Sequence, residues 1–211
     1  MNPLETTVFV VDPDPESCRC VASLATALGS ACWTFPSAEE FLCHMASSRP
    51  NCAVIELCLP GMDAFELQEH LNSRGVSTPL IFVGASADVQ GAVRLMQRGA
   101  VMILKKPYPT EDLLDAIRAA IAKDCASTTA QAKRAEMRYR IDQLHDRERE
   151  TLQLILAGLP NKTIARKLGV SRRTVERIRA AAFEKLGAES ALDVVRIVEG
   201  GGAQQAFAVN L

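Results

Sequence analysis

Short apolar, β-branched runs alternate with helix-patterned stretches through the first 122 residues. The runs Thr7–Val11, Ala31–Phe35, Cys52–Leu57, Leu80–Val83 and Val101–Lys105 predict five strands. Helical starts and stops lie between them. Ser37 with Glu40, and Asp63 with Glu66, have capping-box spacing, and Gly99 can take the left-handed residue that ends a helix over Ala87–Arg98. Near-continuous apolar strands need cover on both faces, so the pattern predicts a doubly wound five-stranded parallel sheet, an α/β domain over residues 1–124.

The pattern changes after Lys123. Residues 125–143 contain neither Pro nor Gly, and Met137, Ile141 and Leu144 recur at helical spacing, which predicts a helical linker; a flexible tether is the alternative. Residues 144–199 read as an all-α domain. Asp146 can cap a helix over Arg147–Ala157 that Gly158 closes. Helices over Lys162–Lys167, Arg172–Leu186 and Ala191–Val198 follow, with Gly187 ending the one from Arg172. Gly200-Gly201-Gly202 opens an expected flexible tail, residues 200–211.

The segment from Asn161 to Ile178 has the mechanics of a helix-turn-helix. Ala165 is small where two helices must touch, and Gly169 permits the positive φ of a tight turn. Ser171 caps the second helix, and Ile164, Leu168, Val170, Val175 and Ile178 supply a core. Such a pair can lay its second helix in a major groove. Arg172, Arg173, Thr174, Glu176, Arg177 and Arg179 are the candidates for base and phosphate contact on that helix. An Arg fork suits guanine edges, and Glu176 can accept from a cytosine amino group. Lys162, Thr163 and Lys185 are candidates for the DNA backbone, where they set orientation.

Charge supports two modules with different partners. The net charge of −1 divides into −6 over residues 1–124 and +6 over residues 161–185, an acidic front and a basic reading segment. No apolar run approaches the roughly 18 residues of a membrane span. Met1-Asn2-Pro3-Leu4-Glu5 lacks the basic start and apolar stretch of a signal peptide, so a cytoplasmic location is expected. The seven cysteines form no CxxC pair or zinc-finger spacing, and most sit in apolar stretches, as reduced core thiols would.

Leu144-His-Asp-Arg-Glu-Arg-Glu-Thr-Leu, Gly158-Leu-Pro-Asn-Lys-Thr-Ile-Ala and Ser171-Arg-Arg-Thr-Val-Glu-Arg-Ile-Arg, with Glu184-Lys-Leu-Gly, resemble the LuxR/FixJ-type DNA-binding domain. The resemblance implies double-stranded DNA as partner and a homodimer pairing through the last helix, with Leu192, Val195 and Val198 as contacts. Ile178 departs from it, since the family usually has a polar residue there. The front domain is similar to the CheY-like receivers of two-component response regulators, on Val10-Val-Asp-Pro-Asp-Pro, Leu59-Pro-Gly-Met-Asp and Leu104-Lys-Lys-Pro. The whole chain is thus similar to FixJ-type response regulators.

Receivers accept a phosphoryl group on an Asp ending the third strand, with Mg²⁺, a Lys and a Ser/Thr that closes on the phosphate. Matched to that pattern, Asp12 and Lys106 are kept. Glu56 stands at the acceptor position, Pro13 replaces the second metal-binding acid, Gly84 the Ser/Thr and Ile103 the switch aromatic; Ala64 replaces a common Gly. Asp14 is one step off, so its side chain should point elsewhere, and Ser86 is a displaced hydroxyl of little weight. The resemblance therefore implies a degenerate site without Mg²⁺ or other cofactor and a regulator independent of Asp phosphorylation, with Glu56 either paired to Lys106 or a neutral relic. Dimer surfaces of the family often involve the fourth helix and fifth strand, here about Ala87–Lys105. Two rivals stay open: regulation by a phosphoryl group on Glu56, and a protein-interaction module for a regulatory partner with secondary DNA binding. No enzyme motif is present; His44, His70 and His145 are scattered.

Overall fold

The computed structural model describes residues 6–85, 89–202 and 207. The chain divides into two compact units, Met1–Ser127 and Thr128–Leu211. Among the described residues no helix is long and apolar enough to cross a membrane.

In the first unit, strands β1 (Thr7–Val11), β2 (Ala31–Phe35), β3 (Cys52–Glu56), β4 (Leu80–Gly84) and β5 (Met102–Lys105) form one sheet, all pairs parallel, in the order β2-β1-β3-β4-β5. Helices α1 (Pro15–Ala27), α2 (Ala38–Met45), α3 (Ala64–Ser73), α4 (Val89–Gln97) and α5 (Thr110–Asp142) connect and follow the strands. Residue parity divides the core in two. Phe9, Ile55 and Phe82 point to one face with Phe41, Leu67 and Leu95. Val8, Val10, Val54 and Ile81 point to the other with Val21, Leu113 and Ile117. Each such fully buried side chain contributes about 1.5–3 kcal/mol, and both faces must be covered to collect it.

Local signals set the entry points. Asp14 accepts from the backbone N–H groups of Glu16 and Ser17 and starts α1; these bonds hold its carboxyl below the usual range. Asp63 and Glu66 make a reciprocal capping box, whereas Ser37 accepts from Glu40 N without the reciprocal bond. The helix expected from Ala87 to Arg98 spans Val89–Gln97, and Ser86 and Ala87 lie outside the described residues. The core-thiol expectation holds for Cys18 and Cys52 only. Cys20, Cys43 and Cys58 are exposed, with Cys32 and Cys125 half-buried, because alternate positions on half-covered elements turn outward.

The stretch expected as a linker is helical, the second half of α5, which runs unbroken to Asp142. The second unit continues with α6 (Asp146–Leu156), α7 (Asn161–Leu168), α8 (Arg172–Leu186) and α9 (Ala191–Gly200). Two expectations need correction. The cap of α6 is His145, not Asp146, and Glu148 Oε2 accepts from His145 N at 2.8 Å. A tail starting at Gly200 is expected, but α9 includes Gly200, and Phe207 is buried among Ile141, Leu152, Phe183 and Val194. Residues 203–206 and 208–211 lie outside the described residues.

Candidate functional site

A parallel sheet of this order leaves a crevice at the carboxyl ends of its strands, where the chain departs in opposite directions from the middle strands. The crevice gathers Asp12 from the end of β1, Glu56 from β3, Gly84 from β4 and Lys106 from just past β5. Asp12 and Glu56 are buried, at 4% and 8% exposure. Lys106 Nζ donates to Glu56 Oε2 at 2.6 Å and to Asp12 Oδ2 at 3.0 Å. Partial burial pulls the Lys106 pKa down, but the hydrogen bonds and charges of Glu56 and Asp12 outweigh it and hold the ammonium above its ordinary value.

All four carboxylate oxygens accept at least one hydrogen bond from this chain. Asp12 Oδ1 accepts from Asp14 N at 2.9 Å, and Asp12 Oδ2 from Ser17 Oγ at 2.6 Å. Glu56 Oε1 accepts from Cys58 N at 3.2 Å. Pro13 is exposed and its side chain carries no ligating atom, and Asp14 is turned to its cap. Among the described residues no cluster of His, Cys, Asp or Glu has the placement to hold a metal ion. Ile103 packs half-buried against the core formed by Phe82 and Leu95.

Gly84 is tightly enclosed. A Cβ there would stand 2.8 Å from Leu57 Cβ, 2.9 Å from Leu57 Cδ1 and 3.0 Å from Glu56 Oε1. Ser17 and Leu57 are the members of this site that sequence reasoning missed. For Ser17 a signal existed: on a helix capped by Asp14 it is a first-turn residue, directed back toward the strand end that carries Asp12.

In the second unit, α7 and α8 are held by Ile164, Ala165, Leu168 and Val175, with Leu154, Ile155 and Val170 packed against them. Ile178, expected in this core, is half-exposed and outside it. Gly169 (φ 66°) makes the turn, and Ser171 Oγ accepts from Thr174 N. Arg173, Glu176, Arg177 and Ala180 recur three and four apart and are exposed, so they share one face of α8. Ala180 was not anticipated. Arg172 is exposed, and its Nε donates to Glu176 Oε1 at 3.1 Å. Arg179 lies over the Phe183 ring, 4.9 Å from its centroid. Lys162 is exposed and Thr163 half-buried on α7, where Arg166 and Lys167 add exposed positive charge.

Arg172 and Arg173 occupy the first turn of α8, which contains no acidic residue. Cations are disfavoured at that end of a helix dipole, whereas a phosphate there is favoured. Lys185, expected at the DNA backbone, is half-buried. Its ammonium donates to Glu148 Oε2 at 2.7 Å and to the Gln143 carbonyl at 3.3 Å, inside the unit. On α9, Leu192 is 59% exposed, Val195 is half-buried and Val198 is 5% exposed. Val198 lies one helical turn from buried Val194, so it faces the core and not a partner.

An α/β unit with an acidic crevice, joined to a helix-turn-helix with a basic face, is the architecture of a DNA-binding response regulator. Residues 8–118 match the response regulator receiver domain, and residues 142–198 match the luxR family of bacterial regulatory proteins. The chain belongs to the LuxR/FixJ family of transcriptional response regulators. It is 33% identical to the transcriptional regulatory protein TdiR of Thauera aromatica over 94% of this chain and 87% of that one. It is 34% identical to the transcriptional regulatory protein FixJ of Azorhizobium caulinodans over 92% of each chain. Among solved structures, the response regulator StyR superposes with a TM-score of 0.83 at 34% identity, covering 92% of this chain and 98% of that one. Full-length FixJ from B. japonicum gives 0.58 at 29%, covering 94% and 98%.

Proposed function

We propose that this response regulator binds double-stranded DNA as a homodimer in the cytoplasm, with a receiver that does not depend on phosphorylation of an Asp. The carrying observation is the 2.6 Å contact between Lys106 Nζ and Glu56 Oε2. The lysine is held by a carboxylate already present, so the ion pair is a built-in substitute for the charge a phosphoryl group would bring. The donor set does not fit Mg²⁺: Asp12 is occupied by Asp14 N, Ser17 and Lys106, and Pro13 offers no side-chain ligand. Any hydroxyl-bearing side chain at residue 84 would bring a Cβ to 2.8 Å from Leu57 Cβ.

Dimerisation rests on exposed apolar side chains in each unit taken separately. Val89, Val93, Met96 and Met102 are exposed on α4 and β5, and Leu192 on α9. The excess of positive charge in the first half of α8, where only Arg172 is ion-paired, with Glu176, supports DNA as the ligand of the second unit, with Arg173, Glu176, Arg177 and Ala180 toward the bases.

Two measurements test this reading. Acetyl phosphate with Mg²⁺ should give no stoichiometric labelling; labelling that disappears in Glu56→Ala would establish the phospho-regulated alternative. Full-length protein, without phosphodonor, should bind a selected palindromic site more tightly than a fragment of residues 141–211 at the same salt. Tighter binding by the fragment would make the receiver inhibitory. Absence of binding with a multi-phosphate salt slope would favour the protein-interaction module.

A further inference from the structure

The last turn of α5 carries an arginine aimed at the end of α8. Arg140 Nη1 donates to the Leu186 carbonyl at 3.2 Å, one of the carbonyls that the end of a helix leaves without an intrahelical partner. Arg140 Nη2 donates to Glu136 Oε1 at 2.5 Å, one turn back on α5, which holds the guanidinium in place. Gly187, with φ 66°, ends α8, and a Cβ there would stand 2.8 Å from Arg140 Nη1. The guanidinium thus lies against bare backbone, at the end of a helix dipole where a cation is favoured.

The same turn of α5 is built into the second unit. Ile141 is 1% exposed and shares one core with Leu186, Val194 and Val198. A Cβ on Gly201, just past α9, would stand 3.0 Å from Ile141 Cδ1. Arg149 of α6 donates to the Ile141 carbonyl at 2.8 Å and to the Leu144 carbonyl at 3.2 Å, which closes the end of α5. From α8, Lys185 reaches back to the Gln143 carbonyl. The end of α5 is therefore tied to α6, to the carboxyl end of α8 and to the end of α9.

We infer that Arg140 is a positioning residue for DNA reading: it fixes the carboxyl end of α8 on α5, and so sets the direction in which Arg173, Glu176, Arg177 and Ala180 face. The inference rests on the DNA-binding reading above. Apolar contacts along α8 are non-directional, whereas a charge-assisted hydrogen bond at its end fixes its tilt. Base readout needs side chains held within about 0.5 Å of the productive position, so a small tilt of α8 weakens it. Leu186 lies about 14 Å along α8 from Arg177, so Arg140 acts through the helix and not at the bases.

The test measures binding of the full-length protein to a selected palindromic site at several salt concentrations, with thermal unfolding to establish that each variant is folded at the temperature used. Arg140→Met keeps the aliphatic stem and removes the donors. Its affinity should fall about three- to tenfold, with the log–log salt slope unchanged because no phosphate contact is lost. Arg140→Lys restores the charge and a single donor, and should recover about half of that loss on a logarithmic scale. Gly201→Val presses on Ile141 from the side of α9, and should weaken binding about threefold, again at constant slope. A wild-type protein that does not bind DNA overturns the reading on which the inference rests. Wild-type binding with unchanged affinity in both folded variants, Arg140→Met and Gly201→Val, overturns the inference alone. So does a slope that falls by about 1 in Arg140→Met, the mark of a lost phosphate contact.

Discussion

Gly84 closes against Leu57 so tightly that a Cβ at residue 84 would stand 2.8 Å from Leu57 Cβ. Leu57 follows Glu56, whose Oε1 would lie 3.0 Å from the same Cβ. Residue 84 is thus confined mainly by Leu57 and secondarily by the Glu56 carboxylate. Gly84→Ser should lower the unfolding free energy by about 1–3 kcal/mol, the usual cost of overpacking. Shortening Glu56 to Asp in the double variant should relieve only part of it, since the contacts with Leu57 remain. Urea unfolding of the two variants measures both.

Lys106 is the cation between two buried carboxylates. Lys106→Met should cost on the order of 3 kcal/mol, because it leaves Glu56 and Asp12 facing each other unpaired. Lys106→Met with Glu56→Gln should recover much of that. The pKa of Lys106 is raised by folding, so its stabilisation is complete below the unfolded value, about 10.4. It is lost as pH rises through the higher folded value. The difference between wild type and Lys106→Met should stay constant around neutral pH and shrink only in the alkaline range.

Glu148 contributes to the acid sensitivity of the second unit. Burial pushes its pKa up, but the hydrogen bonds from Lys185 and from His145 N prevail and hold it below the usual range. Its contribution is present above the unfolded carboxyl value, about 4.3, and is lost as pH falls through the folded one. Glu148→Gln should cost about 1–2 kcal/mol at neutral pH and nothing once the wild-type carboxyl is protonated. Denaturation followed by the Phe183 resonances across the acid range checks the sign.

Leu192 and Val198 should separate cleanly. Val198→Ala removes methyl groups from a packed core and should cost about 1–2 kcal/mol of stability. Leu192→Ala, at an exposed position, should leave stability within about 0.5 kcal/mol while weakening self-association. Sedimentation beside thermal unfolding distinguishes the two effects.

On DNA, Arg173→Ala and Arg177→Ala should each cost about 1–3 kcal/mol at a selected site and relax preference at one base pair. Lys162→Ala should weaken all sequences alike and lower the log–log salt slope by about 1. Binding isotherms at several salt concentrations read both.

Alternating apolar runs and caps made the order of strands and helices legible from composition and spacing, because a doubly wound sheet and a helix-turn-helix are written in local periodicity and in glycines such as Gly169. Asp12, Glu56 and Lys106 became candidates through the resemblance to receivers, whose landmarks fall at these strand ends. Residue type and spacing do not show which way a side chain on a half-covered helix turns. Hence Val198, a dimer contact by resemblance to the family, is instead buried in the core of its unit.

The sequence by itself determined the two-module architecture, the basic reading helix and the identities in the acidic crevice. Only the tertiary structure decided that Lys106 spans Glu56 and Asp12, that Ser17 joins them, and that Leu57 excludes a side chain at Gly84. These pairings join residues separated by up to 94 positions in the chain, and such contacts depend on strand order and helix rotation, which local pattern does not specify.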